Sequence, residues 1–335
     1  MEKVLLTGAT GFLGRHTAQR LIHEGAQVTG LGRSLSQGKL LTAMGARFLP
    51  SDLAQDPDLA DKFRGHDYVI HSAALASPWG RYDEFYSANV TATENVLKAA
   101  REAGVKRMVH VSTPSIYIDH TNRLNVREEE ALPQRAINFY ADTKRIAEER
   151  VDEAAKAGFP VVSLRPQGII GPGDSAIFPR LLRMARKKVL PIIGDGSNWI
   201  DLTYVDNVVH ALVLAMRAPS HVHGQKYNIT NGEPVQLYVL LKQVFNELGF
   251  EYRERHIPFR RAYHIAGAME FAYRYILRGR EPLLTRYTVC ALGLSRTLNI
   301  DAARRDLNYK PLIDMSQAVK LLTQILRADS GKLEA

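Results

Sequence analysis

Short runs of apolar and β-branched residues recur along the first two-thirds of the chain, and between them Leu and Ala return at helical spacing. Residues 2–6, 27–31, 47–49, 68–71, 107–112, 161–164 and 226–229 read as strands, whereas 90–103 and 140–157 read as helices. Strands this short, alternating with helical segments, build a doubly wound parallel sheet, so the expected class is α/β. From about residue 165 the rhythm loosens, and Gly171-Pro172-Gly173-Asp174 and Gly194-Asp195-Gly196-Ser197 mark loops. The expected division is a sheet domain over 1–165, completed by about 200–230, with a smaller interleaved lobe from 166–199 and 231–335. A substrate would lie between the two, at the carboxyl ends of the strands.

The first strand runs into Thr7-Gly8-Ala9-Thr10-Gly11-Phe12-Leu13-Gly14 and then into an amphipathic segment over 15–23. Strand, glycine turn and helix in that order make a pyrophosphate cradle. Gly8 and Gly11 lack the Cβ that would block positive φ angles or hold a ligand off the backbone, and Gly14 lets the helix pack closely on the strand. The helix start then presents free amides and a partial positive charge to phosphate. The second strand ends in Gly32-Arg33-Ser34, about twenty residues beyond the turn, where a free ribose 2′-hydroxyl meets Asp or Glu and a 2′-phosphate wants a cation. Arg33, with no acid beside it, favours NADP(H) over NAD(H), because a guanidinium pairs with the phosphate and stacks on adenine. An exposed loop arginine is the alternative. Asp52-Leu53 and His71-Ser72-Ala73-Ala74 follow the third and fourth strands, where loops border the adenine and ribose, and Ala73 and Ala74 allow close backbone approach.

In Tyr140-Ala141-Asp142-Thr143-Lys144 the tyrosine and lysine stand one helical turn apart and share a face. A lysine ammonium close to a phenol favours the phenolate, so Lys144 is expected to lower the Tyr140 pKa from its reference near ~10. An exposed Tyr and Lys on a surface helix are the alternative. Val109-His110-Val111-Ser112-Thr113 ends a strand with two hydroxyls, a donor set suited to orienting a carbonyl. Asn89, after the fourth strand, is a candidate anchor for a bound water.

In this order the motifs resemble the extended short-chain dehydrogenase/reductase family, over nearly the whole chain. The resemblance implies a Rossmann sheet with a smaller C-terminal substrate lobe, and a catalytic set of Asn89, Thr113, Tyr140 and Lys144. Thr113 rather than Ser112 takes the hydroxyl role because it stands four residues before Tyr117. Cofactor contacts are implied from Gly8, Thr10, Gly11, Phe12, Leu13 and Gly14, from Arg33, Asp52, Leu53, Ala73 and Ala74, and from Tyr140, Lys144, Pro166 and Ile169. Thr91-Ala92-Thr93 departs from the family, which often has a glycine there, beside Asn89.

Segments 164–174 and 201–211 resemble the 3β-hydroxysteroid and sterol-carboxylate dehydrogenase branch. Gly173-Asp174 followed by Pro179-Arg180 is similar to bacterial reductases of long-chain 2-alkyl-3-keto acids. Nucleotide-sugar epimerases commonly carry an asparagine after the sixth strand, where Gln167 stands here; dehydratases place Asp-Glu after the catalytic threonine, where this chain has Pro114-Ser115. The implied activity is NADP(H)-dependent interconversion of a ketone and a secondary alcohol on a hydrophobic substrate, of the 3-keto or 3β-hydroxy steroid or long-chain 3-keto acid type. A nucleotide-sugar epimerase is the alternative enzyme, and a non-catalytic cofactor-sensing protein the alternative of another class.

Composition narrows the partners. The formal charge of +9 invites nucleic acid, yet 44 basic residues are dispersed among 35 acidic ones without zinc-finger spacing or an RNA-binding aromatic signature, so no nucleic acid is expected. Basic clusters over 180–188 and 253–280 read as solvated faces or as attractors for an anionic cofactor, substrate or membrane. Cys290 is the only cysteine, which excludes an internal disulfide and fits a reducing cytosol. The first strand begins at residue 3 and no apolar run approaches the ~20 residues that span a bilayer, so a cytoplasmic location is expected. His221 and His223 read as loop histidines rather than metal ligands, and Glu128-Glu129-Glu130 as a solvated helix entry. The apolar stripe over 264–277 is open to three readings: a wall for a greasy substrate, a helix packed on the core, or an interfacial helix in peripheral contact with anionic lipid. The oligomeric state, a homodimer included, is left open.

Overall fold

Seven parallel strands form the central sheet: β1 (Lys3–Thr7), β2 (Gln27–Gly32), β3 (Arg47–Pro50), β4 (Tyr68–His71), β5 (Arg107–Val111), β6 (Val161–Pro166) and β7 (Lys226–Ile229). Their order across the sheet is β7-β6-β5-β4-β1-β2-β3. The structure, a computed structural model, describes all residues except 175, 176, 178, 180–182, 184–186, 278, 279 and 332–335. Alternate side chains of β1 serve opposite faces. Val4 and Leu6 pack with Ala18 and Leu21 of the helix Phe12–His23 and with Val208 and Leu212 of Val205–Arg217. Leu5 packs on the other side with Val96 and Ala100 of the helix Ala92–Glu102 and with Val151 of Phe139–Lys156. Helices on both faces explain why the strands are continuous apolar runs; all six residues of β6 are buried.

The chain travels β1, β2, β3 to one edge and then returns to lay β4 on the other side of β1. That reversal opens a crevice at the carboxyl ends of β1 and β4, where such sheets bind ligands. A second sheet joins Val235–Gln236, Trp199–Ile200, Arg296–Leu298 and Arg123–Val126, so a strand from the first half of the chain is built into the later lobe. The apolar core of that lobe gathers Leu190, Ile192, Leu241, Phe245, Val319 and Leu322. No helix among the described residues is long and apolar enough to cross a membrane.

Candidate active site

The crevice is shaped by its glycines. Gly8 has φ +67°, and a Cβ there would lie 2.7 Å from the Ala73 backbone nitrogen, so only glycine lets the ends of β1 and β4 meet. A Cβ at Gly14 would stand 2.2 Å from the Gly8 carbonyl oxygen, which fixes the helix Phe12–His23 close to the turn. Gly11 differs from expectation, with φ −78°; its role is to open that helix as an N-cap without a side chain, leaving the first amides uncapped. Leu13 and Phe12 turn their side chains into the apolar core with Ile169, so only the backbone there faces outward as a cradle. Thr10 sits against Gly32, whose Cβ would come within 2.8 Å of its Oγ1. Arg33, at the end of β2, is exposed and has no partner among the described residues, whereas neighbouring Ser34 caps the next helix through Gln37.

The other loop positions surround this crevice. Asp52, exposed, accepts the Ala54 amide, while Leu53 is buried and its carbonyl receives Asn95 Nδ2 at 2.9 Å. Ala74 is exposed and Ala73 half-buried. Pro166 ends β6, paired with Ile229, and Ile169 begins the short strand Ile169–Ile170.

Tyr140 lies in the first turn of Phe139–Lys156, a helix capped by Asn138, whose Oδ1 accepts the Ala141 amide at 2.9 Å. Its hydroxyl is hydrogen-bonded to Thr113, immediately beyond β5. Ser112, the other hydroxyl of the pair, turns away and donates to Glu148. Lys144 is buried, with Nζ 2.8 Å from the Val111 carbonyl and 3.3 Å from His110 Nε2. The expected depression of the Tyr140 pKa is not found. Burial pushes the phenol up to about 12 against the Thr113 hydrogen bond, and burial holds Lys144 down to about 8 against nearby Glu148. Lys144 aims its charge at a strand-end carbonyl and at His110, so the helical spacing fixes its face but not its partner. At neutral pH Tyr140 is therefore a protonated phenol.

Asn89 departs from its expected part as an anchor of water. It lies in a π-helical turn, Tyr86–Thr91, 1% exposed, and its amide is committed: Oδ1 accepts the Leu75 amide at 2.8 Å, and Nδ2 donates to Thr143 Oγ1 at 3.0 Å. It ties the loop after β4 to the helix that carries Tyr140.

Beneath these residues lies a polar layer with no recognisable sequence motif. His71 receives Thr7 Oγ1 on Nδ1 at 2.7 Å and reaches Thr93 Oγ1 from Nε2 at 3.0 Å, an arrangement that fits the neutral Nε2-protonated ring. Burial, with Lys144 nearby, holds its pKa down to about 3. Thr7 Oγ1 also accepts the Ala73 amide, so this network pins the crevice from below. Glu148 and Arg165 form a buried, two-pronged ion pair, and Arg165 continues to the Tyr117 hydroxyl and the Glu128 carbonyl. Glu128 is thus not a solvated helix entry: it is half-buried, and its carboxylate accepts the Asn228 amide at 2.7 Å.

The apolar stripe divides. Ala262 and Ala266 of the helix Phe259–Tyr275 pack with Val289, but Ile265, Phe271, Tyr275, Ile276 and Leu277 are exposed, so the core reading holds only for the small residues. Arg274 of this helix lies over the rings of Phe139, at 4.6 Å, and Trp79, at 5.2 Å, walling a cavity of about 420 Å³ beside the start of the Tyr140 helix. Tyr140, Thr113 and Lys144 do not line that cavity. His223 accepts from Arg107, which caps the end of Val205–Arg217. Arg180, Arg278 and much of the 180–188 cluster lie outside the described residues.

A sequence model of the NAD dependent epimerase/dehydratase family matches residues 4–230. The chain belongs to that family. It is an extended branch of the short-chain dehydrogenase/reductases, the group the motif order resembles, and its members are enzymes. The chain is 36% identical over 326 residues to a 2-alkyl-3-oxoalkanoate reductase of Stenotrophomonas maltophilia (strain K279a), covering 96% of this chain and 98% of that protein. It is 30% identical over 331 residues to a decarboxylating sterol-4-alpha-carboxylate 3-dehydrogenase of Mus musculus, covering 96% and 90%. Among solved structures, MoeE5 in complex with UDP-glucuronic acid and NAD aligns with a TM-score of 0.77 at 25% identity, covering 98% of this chain and 99% of that one.

Proposed function

We propose that the protein is an NADP(H)-dependent oxidoreductase that interconverts a ketone and a secondary alcohol on a hydrophobic substrate. The observation that carries this reading is the protonated Tyr140 hydroxyl paired with Thr113 at the crevice where β1 and β4 diverge. The crevice fits a nicotinamide dinucleotide: Gly8, Gly11 and Gly14 leave room for a pyrophosphate at uncapped helix amides, and Arg33 is free for a 2′-phosphate. When bound, that cofactor supplies hydride to the carbonyl carbon. Tyr140 supplies the proton to the carbonyl oxygen, Thr113 holds the phenol and orients the carbonyl, and Lys144 contributes positive charge at the end of β5. Asn89 positions the helix.

The relatives support a greasy keto or hydroxy acid or sterol as substrate, while MoeE5 bears on the epimerase alternative. An epimerase keeps its cofactor and shows no net consumption. Following absorbance of the reduced nicotinamide across steroids, long-chain 3-oxo acids and sugar nucleotides separates these readings; sustained oxidation of NADPH by none of the ketones ends the reductase proposal.

Two expectations attach to the cofactor side. Arg33→Ala weakens NADPH binding by about 1.5 to 3 kcal/mol, the scale of a hydrogen bond to a charged group, and leaves NADH binding nearly unchanged. Titration of both cofactors checks it; tighter NADH than NADPH binding by the native protein contradicts the assignment. Lys144 loses its proton near pH 8, whereas Tyr140 keeps its own to about 12. Ketone reduction should therefore be level through neutrality and decline as pH rises past about 8. Lys144→Met should remove that alkaline limb along with much of the activity, and a limb that persists in the variant assigns it to another group.

A further inference from the structure

Arg296 occupies the second sheet, where its strand lies between Arg123–Val126 and Trp199–Ile200. The residue is only 7% exposed, and its guanidinium has no hydrogen bond or ion pair among the described residues. It is not sealed off either. The fully enclosed, unpaired side-chain nitrogens among the described residues belong to Arg107, Arg145 and Asn198, so the unpaired nitrogens of Arg296 keep access to open space.

Its surroundings point toward the active site. Tyr287 and Cys290, from the helix Arg286–Gly293, lie near Arg296 on one side, and Asp119 and Arg123 on the other. Asp119 is already engaged, accepting Arg123 Nε at 2.9 Å and both the hydroxyl and the amide of Thr121. Tyr287 meets Ser115 Oγ at 3.0 Å, two residues beyond Thr113, and is also a neighbour of Tyr140. One phenol thus stands between the proton donor and an unpaired cation.

A buried guanidinium without an anion is costly to keep, because desolvation penalises the charge and nothing offsets it. The cost is recovered when an anionic ligand arrives, and a planar fork of donors suits a carboxylate in two-point contact. We propose that Arg296 binds the carboxylate of a 3-oxo or 3-hydroxy acid whose C3 oxygen lies at Tyr140. In such an acid the carboxyl carbon is two bonds from C3, so one compact head group presents an oxygen to the phenol and an anion to the guanidinium. A neutral ketosteroid offers nothing to Arg296. The placement of the C3 oxygen rests on the reductase reading; the anion contact does not.

The test uses a stable pair of probes, 3-hydroxydodecanoate and its methyl ester, with the NADP⁺-loaded protein. Calorimetric binding is measured alongside oxidation rates, for the native protein and for Arg296→Gln, Arg296→Met and Arg296→Lys. The native protein is expected to favour the acid over the ester at least about tenfold, the scale of one charge-assisted contact. The Gln and Met variants lose that preference through KM and Kd for the acid, keep ester binding within about threefold, and melt at or above the native temperature; Lys restores part of the preference. Equal losses on acid and ester, or a native protein indifferent to the carboxylate, overturn the proposal. Selective acid binding without turnover would leave the anion site standing and reject the reductase reading. A preference for UDP-glucose over the fatty acid, also lost in Arg296→Gln, would assign the guanidinium to a pyrophosphate and reject the carboxylate.

Discussion

Tyr140→Phe is expected to lower turnover by roughly two to four decades, the usual reach of a general acid, while cofactor binding stays at its native level. The substitution removes one hydroxyl and keeps the ring, so the start of the helix Phe139–Lys156 and its Asn138 cap are undisturbed. The only hydrogen bond lost is the one with Thr113, worth about 1 kcal/mol of stability. The phenol is the group whose proton state suits the reaction. With its pKa pushed up to about 12 it stays protonated across neutral pH, ready to donate to a carbonyl oxygen as hydride arrives at carbon. Stopped-flow consumption of NADPH gives the rate, and quenching of protein fluorescence by NADPH gives binding. Turnover within about tenfold of native would remove Tyr140 from the role. Thr113→Val should fall between the two, because it leaves the donor in place and removes what orients it.

Much of this site is legible along the chain because its parts sit at strand ends, and strand ends are where period-two apolar runs stop. The seven central strands stand within a residue or two of where the apolar pattern puts them, and the loops after β1, β2, β4 and β5 carry Gly8, Arg33, Ala73 and Thr113 as a result. The helical spacing of Tyr140 and Lys144 likewise puts both on one face. Spacing says nothing of what that face meets. Lys144 finds Val111 and His110 from a strand more than thirty residues earlier, and that contact decides which way both pKa values move. Asn89 lies in a π-helical turn whose extra residue no period-3.6 pattern encodes. The stripe over 264–277 has helical periodicity, yet only Ala262 and Ala266 of its helix find a core, because periodicity describes a face and not its neighbour. Arg296 carries no local signal at all; its isolation exists only once the second sheet has formed around it.

The same long-range logic gives the largest expected loss of stability, at Arg165→Met. Glu148 is 4% exposed and Arg165 2% exposed, and the two form a forked ion pair reinforced by Ser112 on the carboxylate and by Tyr117 on the guanidinium. Methionine fills much of the volume of the arginine stem but leaves the carboxylate of Glu148 buried without its cation. Breaking one side of such a pair costs about 3 to 5 kcal/mol, far more than a surface pair would. The loss should depend on pH. Arg165 and Ser112 hold Glu148 below the usual carboxylate range in the folded protein, so its contribution is present above the unfolded glutamate value and fades as pH falls through the folded one. In Arg165→Met the buried carboxyl takes up a proton instead, and the gap between variant and native protein narrows in acid. Adding Glu148→Gln to Arg165→Met removes the stranded charge and should recover about half of the deficit, since uncharged groups of similar volume tolerate burial far better than a single ion. Urea unfolding of the native protein, both single variants and the double variant closes the cycle. A single variant within about 1 kcal/mol of native, or a double variant no better than Arg165→Met, would mean that the pair is relaxed by water rather than held by the fold. The pair lies one helical turn from Lys144, so the cycle also separates loss of fold from loss of chemistry: Glu148→Gln should shift the alkaline limb of ketone reduction to lower pH, because Glu148 is the group that opposes the fall of the Lys144 pKa.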